Sequence, residues 1–135
     1  MIVSTRGRYA LRVMIDLAQH PDQGYIPLRE IAQRQDISEK YLESILKLLV
    51  KEKFLTGLRG KGGGYRLSRS PEDYTVGEIL RCTEGSLAPV TCLEEPDYRC
   101  PRAEQCSTLP MWKRLDALVA DFFEGITIAD LMKDE

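Results

Sequence analysis

Between residues 59 and 64 the chain reads R-G-K-G-G-G, with glycine at four of the five positions from 60 to 64. Backbone this permissive ends any regular element and lets the chain reverse sharply. The flanks, F-L-T-G-L-R over 54–59 and Y-R-L-S over 65–68, have the composition of short strands. A basic β-hairpin is therefore predicted. Upstream, residues 28–35 bury Leu28, Ile31 and Ala32 on one helical face, and Asp36 and Ile37 turn the chain. Ser38 is placed to cap a helix over 39–51, with Leu42, Ile45, Leu46 and Leu49 inward and Glu39, Lys40, Glu43, Ser44 and Lys47 outward. Two helices joined by three or four residues, followed directly by a basic hairpin, constitute a helix-turn-helix with a wing. A nucleotide-phosphate loop is disfavoured, because the glycines precede a strand where those motifs require a helix.

Charge distribution supports a polyanionic partner for this half. Residues 1–69 carry 13 Lys and Arg against 7 Asp and Glu, whereas residues 70–135 carry 6 against 14, so a net charge of −2 conceals a basic and an acidic half. Neutralising phosphates releases counterions and supplies most non-specific affinity for a duplex. Tyr9, Ala10, Val13, Met14 and Leu17 recur at helical spacing over 5–19, and His20-Pro21-Asp22-Gln23-Gly24 stops that helix. Apolar runs are only a few residues long, so a cytoplasmic protein with no membrane span is expected, and its four cysteines read as thiols or metal ligands rather than disulfides. With one histidine and no base–nucleophile pair, the sequence offers no constellation for an enzyme.

Thr75-Val76-Gly77-Glu78 has capping-box spacing and opens a short helix containing Ile79 and Leu80. A loop-rich insert, 85–110, follows with little to bury. From about Ser107 or Thr108, Leu109, Trp112, Leu115, Leu118, Val119, Phe122, Phe123 and Ile126 recur at helical spacing. In so small a chain a long helix this apolar is expected to complete a homodimer, with Leu109, Trp112, Leu115, Val119, Phe122 and Phe123 at the interface; two-fold symmetry suits a palindromic operator. Thr127 to Asp130 is placed to cap one last short helix. The expected architecture is mostly α with a small β-hairpin wing: a winged helix-turn-helix over 1–83, a cysteine-bearing regulatory loop over 84–106, and over 107–135 a dimerisation helix with a short C-terminal helix.

The segments S-T-R-G-R-Y-A-L from Ser4, L-R-E-I-A from Leu28, I-S-E-K-Y-L-E-S-I-L from Ile37, R-G-K-G-G-G-Y-R-L from Arg59 and V-G-E-I-L-R-C-T-E-G from Val76 occur in fixed order. With them the chain resembles the winged-helix transcriptional regulators that include the iron-sulfur cluster regulator IscR, the nitric-oxide sensor NsrR and the cysteine metabolism repressor CymR. The resemblance implies a homodimer on double-stranded operator DNA, usually repressing. It makes 39–51 the recognition helix, with Ser38, Glu39, Lys40, Tyr41 and Glu43 at its DNA-facing start and Arg59 and Lys61 in the wing. The chemistry agrees: Lys40 can meet phosphate or guanine, Ser38 can donate to phosphate, and Arg59 can fork onto phosphate or enter a narrow groove. Glu43 reads equally as an acceptor from cytosine or as a solvated face, and Tyr41 more as a core aromatic than a base reader.

Cluster-binding members of that group carry three cysteines just ahead of the long helix, where this chain has Cys92, Cys100 and Cys106. The resemblance thus implies an iron-sulfur cluster, 2Fe-2S or 4Fe-4S, on soft thiolates. Two departures stand against it. Cys92 to Cys100 is C-x7-C where C-x5-C is the pattern, and the fourth ligand is missing: Leu109 stands at the histidine position of IscR-like proteins and Arg8 at the aspartate position of NsrR-like ones. Cys82 reads as a buried structural cysteine and His20 as a helix-end residue. Control is thus expected through an iron-sulfur cluster or a thiol state in this loop: a zinc site lacks its fourth ligand, and a thiol switch needs an exposed, low-pKa cysteine, which Arg99 and Arg102 favour and Glu94, Glu95, Asp97 and Glu104 oppose. The alternative is a cluster-free regulator of cysteine or sulfur metabolism, controlled, as in the CymR-like branch, by a metabolic enzyme partner.

Overall fold

A computed structural model describes residues 3–94 and 101–132. Among the described residues six α-helices and one hairpin run in the order α1 (Thr5–Ala18), α2 (Leu28–Gln35), α3 (Glu39–Lys51), β1 (Leu55–Leu58), β2 (Gly64–Leu67), α4 (Val76–Glu84), α5 (Leu109–Glu124) and α6 (Ile128–Leu131). Single 3-10 turns occupy Pro21–Gln23, Pro71–Asp73 and Thr91–Leu93. The helix-turn-helix, the antiparallel hairpin and the long C-terminal helix match the architecture expected from sequence.

Local chemistry sets the boundaries. Ser4 accepts from the Gly7 N–H at 3.1 Å and caps α1; Ser38 accepts from the Tyr41 N–H at 3.2 Å and caps α3. Thr75 with Glu78, and Thr127 with Asp130, form complete capping boxes on α4 and α6. Between α2 and α3, Asp36 takes a left-handed conformation (φ 54°), which reverses the chain within one residue.

α1 is central, packing against α2, α3, α4, α6 and β2. Its Ala10, Val13, Met14 and Leu17 join Ile31, Leu42, Ile45, Leu46, Leu49, Phe54, Tyr74, Ile79 and Ile128 in the main core. A smaller cluster of Val76, Leu80 and Leu87 receives Val119, Phe123 and Ile126 from the C-terminal segment. One link was not foreseen: Ile26 and Tyr65 exchange both backbone hydrogen bonds at 2.9 Å, tying the wing to the segment that enters α2. Gly64 is required there, because a Cβ would overlap the Ile26 backbone and φ is 152°.

α5 has no buried residue. Its C-terminal end is pinned where Glu124 accepts from Arg81 of α4 and, at 3.1 Å, from the Thr75 hydroxyl; a Cβ at Gly77 would overlap that carboxylate. The Arg81 guanidinium holds the Glu124 carboxyl below the usual carboxylate range. On the other side Met111 is 51% exposed, Leu115 38%, Leu118 65% and Phe122 63%. Their spacing of four, three and four residues makes one continuous apolar stripe.

Candidate nucleic-acid interface and cysteine loop

The start of α3 presents Ser38, Glu39, Lys40 and Glu43 to solvent, while Leu42, Ile45, Leu46 and Leu49 anchor the opposite face. Tyr41 lies between, half-buried and edge-on to Tyr9 at 5.8 Å between ring centroids. Ser38 spends a lone pair on the helix cap, which leaves its O–H free to donate outward. Glu43 pairs with Lys47 one turn on at 3.3 Å, both on the exposed face.

The turn ahead of α3 is braced by a polar network that sequence reading did not identify. Arg34 of α2 donates through Nε and Nη2 to the buried Asp16 carboxylate of α1, at 3.0 and 2.6 Å, and Gln35 donates to the same carboxylate at 2.9 Å. Arg12 reaches the Gln35 side chain at 3.1 Å and its backbone carbonyl, one of the last of α2. His20 hydrogen-bonds the Asp16 carbonyl at 2.7 Å and is thereby held at the end of α1.

In the wing, Arg59 and Lys61 are exposed at the tip, and the turn closes through Gly63 N–H to Gly60 C=O at 2.9 Å, with positive φ at Gly60 and Gly62. The hairpin base is fixed by Tyr74, fully buried, whose hydroxyl donates to Phe54 C=O at 2.7 Å and accepts from the Ser68 and Arg69 N–H groups at 2.9 Å. Burial raises the Tyr74 phenol above its ordinary value. Tyr74 carries no periodic signal in the sequence; an aromatic between a proline turn and a capping box was the available sign.

These elements form one exposed recognition helix beside one cationic hairpin, and whole-chain comparison agrees on what that combination is. The Rrf2 model, described as iron-dependent transcriptional regulator, matches residues 3–134. The chain belongs to the Rrf2 family. Protein rrf2 of Nitratidesulfovibrio vulgaris is 38% identical over 134 residues, covering 99% of this chain and 89% of that protein. The HTH-type transcriptional regulator IscR of Vibrio campbellii is 35% identical, covering 99% and 79%. Among solved structures, the global cysteine regulator CymR of B. subtilis superposes with a TM-score of 0.80 at 32% identity, covering 100% of this chain and 98% of that one. T. potens IscR follows the same path with a TM-score of 0.75 at 36% identity, covering 99% and 88%. This Rrf2-family chain is a non-catalytic, DNA-binding transcriptional regulator, and among its described residues no helix is long and apolar enough to cross a membrane.

Of the three loop cysteines, Cys100 lies outside the described residues. Cys92, in the 3-10 turn, and Cys106, ahead of α5, are half-buried free thiols. A hydrogen bond from the Thr108 hydroxyl (3.4 Å), then the Thr108 N–H, lower the Cys106 thiol below its ordinary value, with help from Arg102. Cys82 packs against the main core, and burial pushes its thiol up. Among the described residues no three His, Cys, Asp or Glu side chains gather as a metal site. The donor chemistry of Cys92 and Cys106 fits an iron-sulfur cluster in kind; Leu109, half-buried as the first residue of α5, supplies no ligand.

Proposed function

We propose that this Rrf2-family regulator is a homodimeric repressor of operator DNA whose signal is an iron-sulfur cluster held by Cys92, Cys100 and Cys106. Ser38, Glu39, Lys40, Tyr41 and Glu43 serve the major groove, with Lys40 on phosphate or guanine and Glu43 competing between a base amino group and Lys47. Arg59 and Lys61 follow the phosphate backbone or the adjacent minor groove. Two copies meet along the long helices through Leu109, Trp112, Leu115 and Phe122, while Val119 and Phe123 brace each helix on its own domain.

When bound, the cluster would supply iron–thiolate bonds whose presence reports iron supply and oxidant exposure. The observation that carries the reading is the place of Cys106: it sits three residues before α5, whose far end Glu124 pins to α4. Ordering or releasing the loop therefore acts on the near end of a helix anchored at the other, and α4 packs on α1, which carries the reading head.

Anaerobic purification with iron and sulfide analysis and absorbance spectra tests this, paired with operator binding by the same samples. Iron and sulfide in stoichiometric amount, with operator affinity differing between loaded and stripped protein, is expected. Colourless, iron-free protein after reconstitution would overturn it. Leu109 and Arg8, neither a usual iron ligand, favour a second reading in which a metabolic enzyme partner controls a cluster-free regulator. Iron-free protein that binds its operator at full strength, and binds it differently when that enzyme is added, supports this second reading.

A further inference from the structure

A groove of about 620 Å³ opens between the outer side of α3 and the inner side of the wing. Its apolar surface comes from Leu28, Val50, Leu58 and Tyr65, and its rim carries Lys47, Lys51 and Arg59 with no acidic residue in the lining. The hairpin register explains why it is open. Leu58 stands opposite Gly64, which must remain bare for Ile26 to approach, so nothing across the strands covers the leucine and it stays 47% exposed. Lys47 alone of the three cations has an acidic partner among the described residues, Glu43.

An apolar hollow of this size ringed by cations suits a small molecule with an apolar body and one anionic group. The sugar–phosphate backbone would satisfy the rim and leave the leucine and valine without a partner. We propose that this groove binds a small amphipathic anion, an acyl or aryl carboxylate, and that its occupancy opposes DNA binding by neutralising cations between recognition helix and wing. The inference goes beyond the proposed cluster control and does not depend on it.

The test uses anilinonaphthalene sulfonate as fluorescent probe on the DNA-free protein, with octanoate, octanol and inorganic phosphate as competitors at fixed ionic strength. Saturable probe binding displaced by octanoate, but not by octanol or phosphate at equal concentration, is expected. Leu58→Asp and Gly57→Val should each weaken probe binding about tenfold or more, whereas Phe122→Ser, on the α5 stripe, should leave this class of site intact. The nearest atoms to a Cβ at Gly57 are those of Tyr65 and Val50, at the ordinary contact distances of 3.5–3.8 Å, so Gly57→Val fills the groove even where Leu58→Asp fails to fold. Octanoate should lower affinity for duplex DNA in wild type and not in Gly57→Val. Probe binding indifferent to both groove variants, lost in Phe122→Ser, or displaced equally by octanol or by phosphate would overturn the proposal.

Discussion

Asp16 is the one charged side chain buried among the described residues, at 2% exposure, and its partners are unequally placed. The Arg34 side chain is 26% exposed and can return to water if the carboxylate is removed; Asp16 cannot if the guanidinium is removed. Stranding a buried charge is the costlier change. Arg34→Ala is therefore expected to cost about 3 kcal/mol and Asp16→Ala about 2 kcal/mol, read as a difference in urea midpoints at constant slope. The reverse order would mean the carboxylate relaxes to solvent. At Cys106 the relevant quantity is reactivity. A thiol held below its ordinary pKa has more thiolate at neutral pH, and the first cause is the Thr108 hydroxyl. Thr108→Val should raise that pKa and slow iodoacetamide labelling of Cys106 in cluster-free protein about threefold near pH 7, while Cys82, whose thiol burial raises, stays slow in both proteins. Peptide mass spectrometry resolves the two sites.

Among the elements, the wing shows most clearly what sequence can carry. Its turn was legible because glycine density and strand-like flanks are local, and so were the caps at Ser38, Thr75 and Thr127, where one side chain and an N–H three residues on decide the geometry. What fixes the wing in space was not legible. The Ile26–Tyr65 bridge joins residues far apart in sequence, and neither belongs to a periodic run that would announce it. Tyr74 acts through three backbone groups of the hairpin base, and the Arg34–Asp16 and Arg81–Glu124 pairs each join different helices. Such contacts arise from tertiary packing, for which a single chain gives no periodic signal. Two outcomes follow for the hairpin. Tyr74→Phe keeps the buried ring but takes the hydroxyl from the Arg69 N–H and leaves the Ser68 N–H and Phe54 C=O with only their mutual 3.4 Å bond, for a cost of about 2 kcal/mol; hydrogen exchange at the Ser68 and Arg69 amides should quicken more than exchange in α1. Lys61→Ala should weaken binding to every duplex alike and reduce the salt slope by about one. Binding unchanged across several salt concentrations would remove Lys61 from the interface.

For the whole molecule, the charge division and the apolar stripe point the same way. The basic half contains the helix pair and wing, and the acidic half contains α5, which buries no residue of its own while exposing Met111, Leu115, Leu118 and Phe122 along one side. Fully covering a side chain of this type contributes about 1.5–3 kcal/mol, and these four remain 38–65% exposed. A second copy on the same stripe would bury them twice over and hold two reading heads in fixed relation, as half-sites one helical turn apart require. Leu118, the most exposed of the four, decides the matter with the least disturbance to the fold, because it packs in neither core cluster. Leu118→Asp is expected to sediment as a monomer at micromolar concentration with its melting temperature for secondary structure little changed apart from the lost dimer contribution. Its affinity for an isolated half-site should match that of wild type, while affinity for the full palindromic operator falls about a hundredfold or more, since the second half-site then binds without the effective concentration a linked copy provides. A Leu118→Asp protein that stays dimeric would move the interface off this stripe, and a monomer that keeps full operator affinity would show that one copy suffices to read the site.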